Sequence, residues 1–510
     1  EPGRTTPAPW ANILANEDFG TLMTEAGGTF TWATNSGENR LTPWANDPVL
    51  DRPSEVLYLR DEETAEIWTV TPAPAGGESV CDVRHGAGHS GWSRRSHGIE
   101  QHMEVFVPEG ASVKLIRLRI RNLTARHRRV TSTYYAEWLL GALASLAREH
   151  VFCARGEHER GDLLIASSHW TPDFAGRAAF LAASRPAHGF TTDRREFLGR
   201  EADIDRPAGL HRWGLAGAIV AGGDPCAAYQ LHHDLGPRGS DEVIFVLGEA
   251  ADAETAAELA GTWADPAAAE AALAGLVRTW DDILGRVEVE TPHAPTNVMI
   301  NRWLIYQARS SRILARTGYY QSSGAIGFRD QLQDMLALLW SEPDRVRAHL
   351  LECARHQFSE GDVLHWWHPP SGRGVRTRCS DDMLWLPYVA AAYVAATGDV
   401  SLLGEPVPFL GAPPLAPDEM DRFARFDVAN EQRPFIEHCE RSLDRVFTQG
   451  AHGLPLIGSG DWNDGMDRLG VAGRGESVWL AWFGAVTAES MAGMQLRLDR
   501  TAAAAEWRER

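Results

Sequence analysis

The chain has 510 residues, of which 44% are hydrophobic and 23% are charged, and this balance excludes disordered, collagen-like and fibrous proteins. Sixty-nine acidic residues outnumber 49 basic ones and leave a formal charge of −20, which argues against nucleic acid as a partner. The sequence contains no run of about 18 apolar residues, so we expect no membrane span. Six scattered cysteines without CxxC spacing favour a reducing, cytoplasmic location.

The first half of the sequence has the pattern of a β-sandwich. Short runs of alternating apolar and polar residues are separated by Gly, Pro, Asn and Asp, and no helical segment lies between them. Because many short strands without intervening helices are typical of sandwiches, we assign residues 1–250 to one β-sandwich domain. The clearest predicted strands are Glu55–Arg60, Glu104–Pro108, Arg129–Glu137, Leu163–Ser168 and Glu242–Leu247.

Helical patterns follow the sandwich. Residues 251–293 contain two Ala-rich and Glu-rich segments, 253–263 and 266–283, which predict a helical linker. Residues 294–510 have helical periodicity, with long polar loops after alternate helices, and this alternation predicts an α/α toroid with its chemistry at one rim. The predicted helices are 298–316, 329–340, 345–358, 382–396, 432–447 and 477–498, and the long loops are 318–328, 359–381 and 450–476.

The loop 458–467 is the strongest candidate for a catalytic segment. It places Trp462 between Asp461 and Asp464, and an indole beside carboxyl groups can stack on a sugar ring while the acids transfer protons. The alternative is purely structural, because Asn463-Asp464-Gly465 is also an ordinary turn signature. The sequence alone leaves both interpretations open.

Two further segments could line a sugar site. In the first, Asp330 could accept from sugar hydroxyls while Arg329 orients it, or it could be the favourable charge of a helix N-terminus. In the second, Trp366 and Trp367 could form a glycan-binding wall or pack over the core. The two histidines that flank this pair lack a third ligand at convincing spacing, so we predict no metal site.

The helical half of the sequence contains three long motifs, GFRDQLQD, HWWHPPSGRGVRTRCSDDMLWLPY and GLPLIGSGDWNDGM. Together they resemble glycoside hydrolase family 94, the inverting β-glucoside phosphorylases. Within the family they are most similar to the C-terminal phosphorylase-like region of cyclic β-1,2-glucan synthases and to 1,2-β-oligoglucan phosphorylases. The stretch NEDFGTLMTEAGGTFTWATNSGENRLTPWANDPV resembles the opening of the family's β-sandwich.

The resemblance implies a β-sandwich, linker helices and an (α/α)6 barrel that releases α-glucose 1-phosphate from β-linked glucans. By position in the motif, Asp464 would be the general acid, while inorganic phosphate, a co-substrate and not a cofactor, attacks the anomeric carbon. Trp462, Arg329 and Asp330 would line the sugar subsite beside the cleaved bond, with Asp461 close by. Trp366 and Trp367 match the family less closely.

Two departures from the family pattern matter. Relatives that cleave β-1,4 links carry an arginine where this chain has Gln321-Ser322-Ser323-Gly324, which favours another linkage, β-1,2. The family's phosphate ligands, a histidine and a Thr-Gly pair, would lie beyond residue 510, so we expect 294–510 to be the N-terminal part of the barrel and this stretch alone to lack them. The resemblance also implies a homodimer, or a part of a larger membrane-bound synthase at the inner face of the membrane.

Two alternatives to the phosphorylase remain from the sequence. One is an inverting hydrolase in which another acid, such as Asp461, activates water. The other is a catalytically silent glycan-binding or chain-length-controlling module of a glucan synthase.

Overall fold

A computed structural model describes residues 6–201 and 203–510 of the chain. The chain divides into two compact units, which we call the sandwich unit and the helical unit. The sandwich unit runs to Asp282 and also includes Leu314–Gly324, whereas the helical unit consists of Ile283–Ile313 and Ala325–Arg510.

The sandwich unit is built from antiparallel sheets. The described residues form a small sheet in the order β1-β2-β3, a second sheet in the order β14-β15-β10-β4-β5, and a third in the order β11-β12-β13-β16-β9-β8-β7-β6. The strands are β1 (Ala11–Ala15), β2 (Phe19–Thr24), β3 (Thr29–Ala33), β4 (Glu55–Asp61), β5 (Ile67–Thr69), β6 (Cys81–Gly86), β7 (His89–Ser96), β8 (Ile99–Phe106), β9 (Val113–Asn122), β10 (Arg128–Glu137), β11 (Val151–His158), β12 (Gly161–Ser168), β13 (Ala178–Ala183), β14 (Gly189–Asp193), β15 (Pro225–Leu235) and β16 (Ser240–Ala250).

Alternation along the strands explains how the two larger sheets form a core. In β9, Leu118 and Ile120 are buried, while Arg119 and Arg121 are exposed on the other face. Side chains such as Leu118, Ile120, Val130 and Tyr229 belong to one hydrophobic cluster. The prediction of a sandwich from residue alternation is therefore confirmed.

Short helices complete the sandwich unit. The helices α3 (Ala253–Trp263) and α4 (Pro266–Leu284) lie where the sequence predicts helices, and Asp252 caps α3 by accepting a hydrogen bond from the Thr255 amide at 2.8 Å. Two others, α1 (Ala144–Ala147) and α2 (Arg194–Leu198), lie in connections between strands, as do the 3-10 turns Arg148–His150, Pro172–Phe174 and Ala208–His211.

The helical unit contains the remaining helices. The predicted helix 298–316 is interrupted by π-helical stretches at Met299–Trp303 and Ala308–Ala315. The helices are α5 (Ala294–Val298), α6 (Leu304–Gln307), α7 (Phe328–Leu336), α8 (Pro343–Arg355), α9 (Asp382–Thr397), α10 (Ser401–Gly404), α11 (Phe435–Val446), α12 (Val478–Arg497) and α13 (Thr501–Glu509).

Helix α9 is the centre of the helical unit's core. It contacts α7, α8, α11 and α12, and its side chains Leu384, Leu386, Val389 and Ala390 are fully buried. Its apolar residues cover most of the helix surface, as expected for a helix surrounded by others. Helix α11 instead buries one face, which carries Phe435, Ile436, Cys439, Leu443 and Val446.

The predicted polar loop 359–381 contains two strands that the sequence interpretation missed. The strands β17 (Ile326–Gly327), β18 (Leu364–His368), β19 (Arg373–Thr377) and β21 (Asp421–Arg425) form one sheet, and β20 (Pro406–Gly411) pairs with β22 (Asp427–Pro434). Pairing of Gly327 with Trp366 brings the segment before α7 beside the Trp-Trp segment. Among the described residues, no helix is long and apolar enough to cross a membrane.

Candidate active site

Arg329 connects all three sequence motifs. It lies in the first turn of α7 and is only 6% exposed. Its Nη1 donates to Asp381 Oδ1 at 3.3 Å and to the main-chain oxygen of Asp461 at 3.3 Å, and its Nη2 donates to Asp464 Oδ2 at 2.8 Å. One guanidinium therefore joins α7, the start of α9 and the loop 458–467.

Asp381 is the buried anchor of this arrangement. Its carboxylate has no solvent exposure, and it accepts hydrogen bonds from Trp385 Nε1 at 3.2 Å and Cys379 Sγ at 3.3 Å. Burial, followed by the negative charge of Asp382, raises the pKa of Asp381, and the attraction of Arg329 opposes that rise. The cost of burying this carboxyl group is thus offset by a fixed cation and two neutral donors.

His365 and Asp382 form a second buried pair in the same region. His365 Nδ1 lies 2.7 Å from Asp382 Oδ2, and Asp382 is 1% exposed. Burial by itself disfavours the charged imidazole, but the Asp382 carboxylate outweighs that effect and raises the pKa of His365 to about 9. At neutral pH, His365 is therefore a cation close to the loop 458–467.

Two further side chains that could bind a metal lie close to His365, although the sequence did not indicate them. One ligand atom each from His365, Cys379 and Asp382 lie within 4.8 Å of one another. Burial raises the pKa of the Cys379 thiol, which donates to Asp381, so the thiol keeps its proton. The ion pair and this hydrogen bond already engage one ligand atom of each of the three groups, and we assign no ion to them.

Backbone contacts hold the loop 458–467 against the start of α9. The Ser380 amide donates to the Gly460 oxygen at 2.9 Å, and the Ser380 hydroxyl donates to the Ile457 oxygen at 2.9 Å. Gly458 has a φ of +65°, and a Cβ at this position would lie 2.0 Å from the Arg378 oxygen. Only glycine allows this close approach without distortion.

Asp461 has a structural environment. It is 7% exposed, its Oδ1 accepts from the Asn463 amide at 3.0 Å, and its Oδ2 accepts from the Ser477 hydroxyl at 2.6 Å. Ser477 is also the N-cap of α12, where it accepts from the Leu480 amide at 3.0 Å. Asp461 therefore ties the loop to α12, and both of its oxygens are occupied.

The other groups of the motif face solvent. Trp462 is 53% exposed and the Asp464 side chain is 60% exposed, so both are available to a ligand. Asp330 is also exposed, with Oδ1 3.6 Å from Arg329 Nε. Two accessible carboxylates thus lie beside one buried guanidinium, and an accessible indole belongs to the same loop as one of them. This combination is suited to holding a sugar and protonating its oxygen.

The two adjacent tryptophans have different environments. Trp367 is 2% exposed and stacks on His356 with a centroid separation of 3.9 Å, so neither ring face is open to a sugar. Trp366 is half-buried and lies 5.5 Å from Phe423, also measured between ring centroids. The packing alternative describes Trp367, and only Trp366 remains a candidate for contact with a glycan.

Sequence reasoning did not assign roles to Asp381, Asp382 or Cys379. Two consecutive aspartates directly before an apolar helix were the available signal, because a pair of charges at the start of a buried helix needs partners. Nothing in the sequence indicated that Arg329, some 50 positions earlier, would be that partner.

Comparison with known proteins identifies the family. The description "Glycosyl hydrolase 94, supersandwich domain" matches residues 1–266, and "Glycosyl hydrolase 94 superfamily, catalytic domain" matches residues 279–509. Together these matches cover nearly the whole chain.

The proteins similar to this chain include a synthase and several phosphorylases. The chain is 43% identical to the cyclic beta-(1,2)-glucan synthase NdvB of Rhizobium meliloti, over 94% of this chain and 17% of that protein. It is 27% identical to the N,N'-diacetylchitobiose phosphorylase of Vibrio furnissii and 28% identical to the solabiose phosphorylase of Paenibacillus borealis, covering 79% and 83% of this chain. The chain spans 54% and 52% of the lengths of these two phosphorylases.

A solved structure supports the fold. A bacterial glucoamylase in complex with acarbose aligns with a TM-score of 0.57 and 9% identity, over 98% of this chain and 68% of that one. The fold class predicted from the sequence, a β-sandwich followed by a helical domain of the (α/α)6-toroid class, is confirmed. The chain belongs to glycoside hydrolase family 94, with its supersandwich domain followed by the family's catalytic domain.

Proposed function

We propose that the protein catalyses inverting phosphorolysis of β-linked glucans, with β-1,2-linked glucooligosaccharides as its substrate class and inorganic phosphate as co-substrate. The observation that carries the proposal is the accessible Asp464 carboxylate, which is held at 2.8 Å by the buried guanidinium of Arg329, with Trp462 two residues away on the same loop. Phosphorylase relatives at 27% and 28% identity support the reaction class.

In the proposed step, a phosphate oxygen forms a bond to the anomeric carbon while the bond from that carbon to the glycosidic oxygen breaks. Asp464 gives its proton to the departing oxygen, and attack from the opposite face converts a β-glucoside into α-glucose 1-phosphate and a shortened glucan. Among the described residues, hydrogen bonds to this carboxyl group reach Oδ2 alone, which leaves Oδ1 to carry the proton.

The surrounding groups would position the sugar. Trp462 offers an apolar face for a pyranose ring, and Asp330 offers an exposed carboxylate that accepts from its hydroxyls. Asp461 is not proposed as a base, because Ser477 and the Asn463 amide occupy its oxygens. Phosphate as the nucleophile removes the need for such a base, since no water has to be activated.

A second candidate is a catalytically silent module that binds glucan or controls chain length. The observation that favours it is the 43% identity to a cyclic glucan synthase of which this chain spans only 17%. This candidate predicts affinity for β-glucan without formation of glucose 1-phosphate.

The decisive measurement is the release of glucose 1-phosphate from short β-1,2-glucans, with and without inorganic phosphate. We expect phosphate-dependent release that Asp464→Asn lowers by a factor of at least about 100, the scale of a lost general acid. The matched control is Asp467→Asn, an exposed acid in the same loop, which should retain its activity. Full activity of Asp464→Asn would exclude the assignment of the acid, and glucan binding without any product would favour the silent module.

A further inference from the structure

An aromatic cluster that shares no residue with the candidate active site lies on the surface of the sandwich unit. Trp213 is 58% exposed and lies between two histidine rings, with centroid separations of 5.2 Å to His188 and 5.6 Å to His232. The two imidazoles are themselves 5.4 Å apart. The exposed indole thus has a polar ring close to it on two sides, and a ligand can reach its surface.

The cluster is supported by the sheet beneath it. Arg60, Thr131 and His232 lie side by side on β4, β10 and β15. Arg60 Nη1 donates to the Arg212 main-chain oxygen at 2.9 Å and therefore fixes the backbone directly before Trp213. The indole is consequently held in place by the fold.

Hydrogen bonding determines which nitrogen of His232 is available. The Thr131 hydroxyl donates its one proton to Glu62 Oε1 at 2.5 Å, so His232 Nδ1, 3.4 Å from the same hydroxyl oxygen, is the donor to it. Burial and then the charge of His188 lower the pKa of His232 and keep the imidazole neutral at pH 7. Its Nε2 is then an acceptor beside the exposed indole.

We propose that the cluster of His188, Trp213 and His232 is a second glycan-binding site, which holds a chain of β-linked glucose on the sandwich unit. A pyranose ring presents axial C–H groups that pack on an indole, and its hydroxyls need acceptors at the rim of that indole. Trp213 supplies the face and His232 Nε2 supplies the acceptor. The choice of glucan as ligand rests on the proposed function, whereas the aromatic and acceptor geometry does not.

The test is affinity electrophoresis of the full chain in phosphate-free buffer, with soluble linear β-1,2-, β-1,3- and β-1,4-glucans in the gel. We expect retardation of the wild type by at least one of these glucans and a roughly tenfold weaker affinity for Trp213→Ala. The matched control is Trp10→Ala, which removes another indole of the sandwich unit that is 66% exposed. His232→Phe keeps an aromatic ring but loses the acceptor, so it should also weaken binding.

Measuring activity beside binding separates this proposal from the proposed function. Circular dichroism first establishes that each variant is folded, and Trp213→Ala should still release glucose 1-phosphate from a short oligosaccharide at the wild-type rate. Retardation that depends on Trp213 in a chain that forms no glucose 1-phosphate would leave this site standing without support for the proposed phosphorolysis. No retardation of the wild type by any β-glucan, or equal affinities for Trp213→Ala and Trp10→Ala, would overturn the proposal.

Discussion

At the scale of single residues, the candidate site depends on a charge that is buried and fully partnered. Arg329 is nearly inaccessible, yet it contacts the exposed Asp464. Its guanidinium is fixed in the core and therefore holds the Asp464 carboxylate in place. Asp381 is the group that makes this possible, since a buried arginine without a carboxylate would be strongly unfavourable. The two groups are therefore expected to matter for stability and activity together.

Replacing Asp381 by Asn tests that dependence. The variant keeps the shape and an acceptor for Trp385 but leaves the Arg329 charge without its buried partner, so we expect the free energy of unfolding to fall by about 2–4 kcal/mol. Glucose 1-phosphate release should fall at least about tenfold because the guanidinium is no longer fixed. Denaturant unfolding and initial rates measure the two effects.

The control for this variant is Asp330→Asn, which removes an exposed carboxylate near Arg329. That side chain is 51% exposed, so its loss should change the free energy of unfolding by no more than about 0.5 kcal/mol. Equal stabilities of Asp381→Asn and Asp330→Asn would contradict the anchoring role.

The ion pair of His365 with Asp382 should make the stability of the protein depend on pH. Its pKa is about 9 in the folded protein, against about 6.5 in an unfolded chain, so the ion pair with Asp382 contributes fully below about pH 6.5 and is lost as pH rises through 9. The expected decrease in the free energy of unfolding is about 2–3 kcal/mol over that range. Urea titrations at several pH values should show it.

The variants are compared by how steeply the free energy of unfolding changes with pH. Its absolute value is not compared, because removing His365 also leaves Asp382 without its partner. His365→Gln should have a flatter dependence of stability on pH between 6.5 and 9, whereas His169→Gln, at an exposed histidine, should keep the wild-type slope. If His365→Gln has the same slope as the wild type, the ion pair does not control stability in this range.

At the scale of elements, the loop 458–467 is held by the starts of two helices, α9 and α12. The start of α9 holds its backbone through Ser380, and the N-cap of α12 holds Asp461 through Ser477. A loop fixed at both sides in this way can present Trp462 and Asp464 to solvent without being mobile itself. Its glycines are required where the chain passes close to neighbouring backbone.

Two glycines of the segment 450–476 allow the effect of close packing to be separated from that of backbone conformation. Gly453 has a φ of +78° and open space around its Cα, whereas Gly458 has a φ of +65° and the Arg378 oxygen close by. Gly453→Ala should cost about 1 kcal/mol, from the left-handed conformation alone. Gly458→Ala should cost about 3 kcal/mol or more and lower activity, because the loop must move.

Thermal unfolding and the phosphorolysis assay compare these two variants directly. Similar melting temperatures and similar rates for the two would show that the approach of Gly458 to Arg378 does not position the loop.

At the scale of the whole molecule, the sandwich unit contains the only lysine of the sequence. Lys114 is fully buried, and its ammonium group binds the Glu55 carboxylate, which also accepts from the Tyr134 hydroxyl. A buried ion pair with further hydrogen bonds is a satisfied structural network and not a reactive site. Its burial nevertheless makes the amine a reporter on unfolding.

An amine-reactive reagent should modify Lys114 only after the sandwich unit unfolds. We expect the mass increase due to that side chain to appear in urea at the midpoint where the β-sheet circular dichroism signal is lost. Lys114→Arg, which has no reactive side-chain amine, should not show this increase at any urea concentration, and modification of the α-amino group serves as the internal reference. Modification of the native wild type at the rate of a free lysine would contradict the burial of the ammonium.

The sequence by itself determined the order and kind of the large elements. Alternation in β9 and β10 and the apolar faces of α11 and α12 are local patterns, and hydrophobic burial makes such patterns decide between strand and helix. The long glycine-rich and aspartate-rich motif likewise predicted a candidate catalytic loop, because no core requires that composition. The strands β18 and β19 were missed because each has only five residues and neither alternates regularly between apolar and polar residues, and their pairing with β17 and β21 is what stabilises them.

Tertiary structure decided the partners of the charged groups. Arg329 and Asp381 are 52 positions apart, and Arg329 and Asp464 are 135 apart, so only packing of α7 against α9 and the loop brings them within hydrogen-bonding distance. It also decided which tryptophan is core and which is surface, since Trp366 and Trp367 point to opposite faces of the same strand. Local composition sets what an element can be, whereas the free energy of burying a charge or a ring depends on residues that are distant in sequence.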